Sequence, residues 1–539
     1  MQNFTIKHLL SLLVLGVICT SSVHAQSYLP FIDKTFSDSG LVYLHDMYRF
    51  YPQTQAMQSD GKILVAGYGS NFGNSNIPFD GIVYRINENG TKDLTFGANG
   101  FRAIDIDGSY DAITGIAETA DHKIIMVFTS FTRTILVRLL PDGSYDPDFG
   151  NDGILLTEAS NTEGPQDLII QPDQKIVICG FQQVLANLNK GYIRRFNPDG
   201  SPDASFGTNG YVSCVIDAVK NFELSDLALQ PDGKILATGV YANNTSSSGF
   251  PVIRLNTDGS FDNTFSSDGI YVKVMGNSTR PANARCIALR PDGKILVGGV
   301  APTTSESAMT VVQVKPDGIT DTNFGSFGAA KVVVSWYNEA NSLMLQPDGK
   351  VVVGGYCFIS DTSTANLMVR LNTSGVQDIT FGPSDGYFAT VSAEPGFNVD
   401  VISGLQVLPT GKMLVTSWVD ASINANAIDR VYVTVSRYLT DIVVETYEPN
   451  LVFQETHVFP SPVKDELVTL QYTMDNAREV SVLLFDANGR EITTLIDAEM
   501  RSAGQQQEQF YLPVSLPAGN YFLELATDDG RKAIQLVKL

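Results

Sequence analysis

The sequence predicts an all-β fold: a seven-bladed β-propeller closed by its own N-terminal strand, followed by a small Ig-like β-sandwich. Three observations predict it. Two short motifs each recur seven times along most of the 539 residues. The stretches between them read as four short strands per repeat. The motifs are also out of phase at the two ends of the repeat array, as a ring requires and an open stack does not.

The first motif is an apolar run, then Gln-Pro-Asp-Gly-Lys, then a second apolar run. Its copies centre on Asp60, Asp121, Asp173, Asp232, Asp292, Asp348 and Thr410. The second is Asp-x-x-Phe-Gly-x-x-Gly, with phenylalanines 36, 96, 149, 206, 265, 324 and 381. Self-similarity at this period marks a repeat architecture, in which neighbours bury the face that one unit cannot bury alone.

One unit shows the strands. Leu224 to Gln230 is the first, and Asp232-Gly233 reads as a two-residue hairpin turn with positive φ at both positions. Lys234 to Tyr241 is the second strand, Ala242 to Gly249 a loop, Phe250 to Asn256 the third strand and Ile270 to Met275 the fourth. Where His122 and Gln174 replace the turn glycine, and Thr410 the aspartate, less ideal turns are expected.

The array begins with a second motif, Asp33 to Gly40, and ends with a first motif and a third strand near Val431 to Tyr438. The missing fourth strand is expected from Leu41 to Leu44 at the other end. Exchange of this kind removes the sheet edge that invites aggregation.

Outside the array, Lys7 and His8 precede an apolar run from Leu9 to Ile18, and Val23-His24-Ala25 is an A-x-A-like cleavage site. Residues 1–25 therefore read as an export signal, too short to span a bilayer. No other segment is long enough, so the mature chain is expected to lack a transmembrane segment. A polar linker is expected over 446–456. From 457 to 539 about six alternating runs, such as Val480 to Phe485 and Tyr521 to Ala526, read as the sandwich.

Hydrophobic residues make up 43% and charged residues 17%, enough apolar material for a large core. A net charge of −22 excludes the clustered basic surface that nucleic acid or anionic lipid needs. Cys179, Cys214, Cys286 and Cys357 follow no metal-ligand spacing and read as small buried hydrophobes, with a Cys179–Cys214 disulfide as the alternative.

The repeat resembles the delta-60 repeat family over roughly residues 28–440, through stretches such as Leu229-Gln230-Pro231-Asp232-Gly233-Lys234-Ile235-Leu236 and Arg254-Leu255-Asn256-Thr257-Asp258-Gly259. That resemblance implies a β-propeller. The C-terminal stretch resembles the type A sorting domain of type IX secretion cargo. The resemblance rests on Phe459-Pro460-Ser461-Pro462-Val463, Asp486-Ala487-Asn488-Gly489-Arg490, Leu516-Pro517-Ala518-Gly519-Asn520-Tyr521 and Leu536-Val537-Lys538-Leu539. It implies that Pro460, Pro462, Gly489, Arg490, Gly519, Tyr521 and Lys538 belong to the sorting signal. It also implies passage through the periplasm to the cell surface or medium by the type IX machinery, removal of the domain, and attachment to surface glycolipid.

Strand order places the near-invariant turns on one face and the variable loops on the other, where a scaffold presents function. Tyr68, Phe72, Phe181, Tyr241, Trp336, Tyr337, Tyr356 and Trp418 lie in or beside those loops among Asn, Ser and Thr. Such faces suit sugar rings or extended peptide; the alternative is packing between blades. Asp105, Asp107, Asp111, Glu163, Glu339, Glu394 and Asp400 lie on crossovers. They suit paired-carboxylate hydrolysis or calcium, against the plainer reading of solvated loop charge. Asp107 and Glu339 join the aromatics as candidate ligand contacts. Nothing resembles a nucleophile elbow or a metal cluster, so no cofactor or catalytic residue is assigned. The expectation is an exported binding protein for glycan or peptide. A carboxylate-dependent polysaccharide hydrolase or lyase, and a structural envelope protein, are the alternatives.

Overall fold

The structure is a computed structural model. It describes residues 32–538 except 38, 48, 71–78, 107, 109, 130–132, 158–162, 186–187, 217–220, 243–246, 278, 362, 383–385, 391–398, 409–411, 421–430, 440–452, 460–462, 464–465, 475, 487–490, 514–515, 518 and 528–529. The expected export signal and the turn at Thr410 therefore lie outside the described residues. The chain divides into two compact units, 1–440 and 441–539. Every named element is a strand.

In the first compact unit the strands fall into groups of four. Each starts with a first strand: Arg49–Met57, Ala112–Glu118, Glu163–Ile170, Asn221–Leu229, Asn283–Leu289, Asn338–Leu345 and Val399–Val407. Each pairs antiparallel with a second strand across the first-motif turn. Third strands follow, and six groups end on their own fourth strand. The seventh takes its fourth strand from the other end of the chain. Leu41–Leu44 pairs antiparallel with Val431–Tyr438, Leu41 opposite Ser436 and Leu44 opposite Val433. Successive first strands touch, and the seventh touches the first.

The first-motif turns have a different form from the one expected. In the fourth unit Gln230 N donates to Lys234 O and Gly233 N to Gln230 O, with positive φ at Gly233 (84°) and not at Asp232. This is a three-residue loop ending in a left-handed residue, in which only one position needs glycine. His122 (φ 62°) and Gln174 (φ 67°) hold that conformation and make the same backbone bonds. The loss of ideality lies in backbone strain, and the hydrogen-bond pattern survives.

The second motif ties neighbours together. In the fourth unit Arg254, on the third strand, donates from Nε to Asp262 Oδ2 at 2.7 Å. Its guanidinium lies 4.5 Å from the centroid of the Phe265 ring. Its Nη1 reaches Pro316 O in the next unit at 2.6 Å, and Lys234 of the first motif joins Asp262 at 3.0 Å. The arrangement of arginine, aspartate and ring recurs at Arg85, Arg138, Arg195, Arg370 and Arg437. In the seventh unit the aspartate is Asp33, 404 residues from Arg437, at 2.6 Å. The fifth unit has Gln313 instead, bonded to Asp321 at 2.8 Å.

Every first strand slips register by one residue at the same place, leaving Gln53, Thr114, Gln166, Ser225, Arg285, Asn341 or Ser403 unpaired with the second strand. The slip pushes a backbone carbonyl against the second strand. A Cβ at Gly239 would lie 1.9 Å from Glu223 O, and one at Gly355 1.9 Å from Glu339 O. That contact explains the Gly in the second strands of five units, at Gly67, Gly180, Gly239, Gly299 and Gly355. All four described cysteines are buried and free, so the small-hydrophobe reading holds and the disulfide does not.

The second compact unit is a three-stranded sheet (Phe453–Phe459, Leu467–Met474, Gly504–Tyr511) and a four-stranded one (Arg478–Asp486, Glu491–Arg501, Gly519–Thr527, Gly530–Lys538). Both contribute to one core, with Leu470 and Tyr472 from the first and Val482, Leu523 and Leu536 from the second. Its first strand begins inside the expected linker, because Phe453 pairs with Met474 across the sheet.

Candidate functional site

The register slips build the site. A bulge re-aims one side chain, and here the re-aimed side chain of each of the seven first strands lines a single cavity of about 470 Å3. Five of the seven side chains are uncharged amides or hydroxyls shared among Gln, Asn and Ser. Thr114 is a sixth neutral group, and only Arg285 carries charge. Several bond to the next unit: Thr114 Oγ1 donates to Pro165 O at 3.0 Å and Asn341 Nδ2 to Ile402 O at 2.9 Å.

Asp167 and Asp226 also line this cavity, at matching positions of consecutive units. Their carboxyl groups hydrogen-bond to each other. Asp167 Oδ2 accepts from Leu227 N at 3.0 Å, and Asp226 Oδ2 from Ile287 N at 2.7 Å, each in the following unit. Burial pushes Asp167 up to about 6. Burial and the neighbouring charge of Asp167 push Asp226 well above the usual carboxylate range.

Two aromatic clusters connect to the cavity. Trp418, a cavity-lining residue, stands 5.6 Å from Tyr51, which stacks on Tyr68 at 5.0 Å. Phe79 and Tyr110 pack on Tyr68 at 5.5 and 5.3 Å. On the other side Arg285 donates from Nε to Glu339 Oε1 at 2.9 Å. Glu339 Oε2 accepts from the Tyr337 hydroxyl at 2.6 Å and the Tyr356 hydroxyl at 2.9 Å. Burial, then the Glu339 charge, raises both phenols. Trp336 covers this group, 51% exposed, its ring 4.7 Å from Phe358.

The structure thus brings Tyr68 and Trp418 into one cluster, and Trp336, Tyr337, Glu339 and Tyr356 into another. Phe181 lies half-buried against Gly164 of its own unit. Tyr241 is a correction: it is 6% exposed in the core beside Phe222 and Leu224. Val240, opposite Glu223, holds the place that Tyr356 holds opposite Glu339, and a one-residue offset turns Tyr241 to the other side of the strand. Phe72, Asp107 and Glu394 lie outside the described residues. The remaining acidic candidates do not converge: Asp111 accepts from Ile106 N, Glu163 pairs with Arg194, Asp105 accepts from Gly108 N, and Asp400 packs beside Thr364. Among the described residues no three potential metal-binding side chains cluster.

Sequence reasoning missed Tyr51, Phe79, Tyr110, Arg285 and the acid pair. The visible signal for the pair was an aspartate four residues ahead of the turn glutamine, inside an apolar strand, in two consecutive repeats.

In the second compact unit Tyr521 lies near the start of the strand Gly519–Thr527, its hydroxyl donating to Pro517 O at 2.8 Å. Lys538 pairs with Gly519 and bridges Val463. Pro460, Pro462, Gly489 and Arg490 lie outside the described residues.

Comparison with known families agrees with this architecture. Residues 58–96, 125–149, 171–206, 230–265, 290–324 and 346–381 match the family described as domain of unknown function (DUF5122) beta-propeller. Each match ends on the second-motif phenylalanine. Residues 457–538 match the secretion system C-terminal sorting domain. The chain carries DUF5122 β-propeller repeats and a type IX secretion sorting domain. The sorting domain marks the protein for type IX secretion, to the cell surface or the medium. No helix among the described residues is long and apolar enough to cross a membrane. No curated protein matches the chain.

Among solved structures, the chain is similar to PorZ, a surface component of the type IX secretion system of Porphyromonas gingivalis. Identity is 11% and the TM-score 0.37, over 92% of this chain and 59% of PorZ, so the chain spans about three fifths of that protein. A fungal alcohol oxidase in complex with copper aligns at 14% identity, TM-score 0.39, over 92% of this chain and 98% of that one. The polysaccharide lyase Uly1 aligns at 10% identity, TM-score 0.44, over 74% and 99%. Likeness at this level says nothing of chemistry.

Proposed function

We propose that the repeats form one closed, seven-bladed ring with a non-catalytic binding site around its axial cavity, displayed outside the cell by type IX secretion. The observation that carries the reading is the cavity itself, to which every one of the seven first strands contributes a re-aimed side chain. The cavity falls within the ~300–1,000 Å3 typical of small-ligand sites. Aromatic rings beside polar groups suit glycan or extended peptide. Tyr68, Trp336, Tyr337, Glu339, Tyr356 and Trp418 are the contacts proposed for it, and residues 457–539 are proposed as an Ig-like sorting domain, released with attachment of the ring to surface glycolipid. A carboxylate-dependent hydrolase has less support, because Asp167 and Asp226 bond directly to each other, whereas glycoside hydrolysis needs carboxyl groups about 5 Å or more apart.

The test presents the purified mature chain to an oligosaccharide array and a peptide array, beside its Trp418→Ala variant. Capture by the native chain that the variant loses is expected. Blank arrays of both kinds contradict the proposal.

A further inference from the structure

We infer that the axial cavity takes a neutral oligosaccharide rather than a peptide. The inference rests on the binding reading above and names its ligand class.

Peptide capture by a β-protein draws on a continuous strand edge, along which main-chain groups pair, with apolar pockets for alternate side chains. Here the edge is unsuitable. Each of the seven first strands carries a register slip where it lines the cavity, so no first strand there offers a straight row of backbone groups. The pockets are missing too, because the slips point amides and hydroxyls inward where a peptide's apolar side chains would need hydrocarbon.

The same lining matches a sugar. An amide offers a donor and an acceptor side by side, and a hydroxyl offers both from one atom. Vicinal ring hydroxyls ask for that pairing, and Gln53, Gln166 and Asn341 supply it at spaced points around the wall. Trp418 adds a flat apolar face for the C–H side of a pyranose.

Charge decides for a neutral ligand. Arg285, the cation among the re-aimed side chains, is held by Glu339. Asp167 and Asp226, in hydrogen-bond contact, share a proton instead of facing the cavity as two anions. An acidic polysaccharide would meet no free cation among these groups, and a strongly basic ligand would have to displace that proton.

The test uses the full mature chain and titrates four neutral hexaoses (cello-, malto-, manno- and xylohexaose), polygalacturonate and hyaluronate fragments, and a random peptide library. Binding of at least one neutral hexaose is expected, weakened about tenfold or more by Trp418→Ala and by Gln166→Leu. The Gln166→Leu variant keeps the test open if loss of the indole disturbs folding. Selective capture of peptide or acidic fragments, lost in the same variants, overturns the inference and leaves the binding reading standing. Neutral-sugar binding indifferent to both substitutions overturns it by placing the site elsewhere. No binding of any probe overturns both.

Discussion

Asp167 and Asp226 place two carboxyl groups in hydrogen-bond contact on the cavity wall, and their proton has a consequence for stability. The folded state holds that proton more tightly than the unfolded chain, whose aspartates titrate near 3.8. The pair's contribution is therefore fully present below about pH 4 and begins to fall as pH rises through about 6, where Asp167 ionises. It falls further at higher pH, where Asp226 gives up the shared proton. Asp226→Asn keeps a hydrogen-bonding group and removes the titration. Thermal unfolding should show the variant more stable than the native chain at pH 8, on the order of 1–2 kcal/mol, with the advantage gone at pH 4. The aspartates of the second motif act in the opposite sense. At Asp378 burial would raise the carboxyl, but hydrogen bonds from Thr380 and Lys350 and the charge of Arg370 outweigh it and hold the group at about 2. That stability is present above about pH 4 and fades as pH falls toward 2. At this scale the sequence was only partly readable. Trp336, Tyr337, Glu339 and Tyr356 could be picked out as loop-side residues and do converge. Tyr241 could not be told from Val240, because a single position along a strand decides between core and cavity side.

The repeated element is an arginine clamped between an aspartate, a phenylalanine ring and a carbonyl of the next unit. Removing one member of a buried ion pair leaves the other unpaired and costs about 3–5 kcal/mol. Arg254 and Asp262 are such a pair, both nearly inaccessible. Arg254→Gln is therefore expected to lower the denaturation midpoint clearly. The fifth unit supplies the reverse experiment. Gln313 holds Asp321 but carries no charge to set over Phe324, so Gln313→Arg should raise the midpoint by the equivalent of about 1 kcal/mol. A Gln313→Arg variant no more stable than the native chain would mean the clamp adds little beyond its hydrogen bond. The clamp's aspartate and phenylalanine were legible because turn geometry forces the same residues into every repeat. The register slips were not. They are fixed by contacts between strands whose sequences differ from unit to unit, and only the second-strand glycines betray them, through the carbonyl that would strike a Cβ.

For the whole molecule, the binding reading depends on the two ends of the repeat array completing one unit. Leu41–Leu44 lies against Val431–Tyr438, Asp33 N donates to Arg437 O at 2.7 Å, and the Asp33 carboxylate receives both Arg437 and Lys412. Burial would raise that carboxyl, but hydrogen bonds from Lys412, Thr35 and Arg437 outweigh it and hold it well below the usual range. The phase of the motifs announced this pairing from sequence alone, since a half-unit at one end and its complement at the other can be satisfied only together. Depth of the cavity and its occupants could not be read the same way, because they follow from how seven first strands face one another. The most direct measurement is a double-mutant cycle on thermal unfolding with Asp33→Ala and Arg437→Ala, residues 404 apart in the chain. If the ends share one unit, each single change lowers the midpoint and the double variant falls little further than the worse single one. Fully additive losses, or single changes without effect, would contradict it.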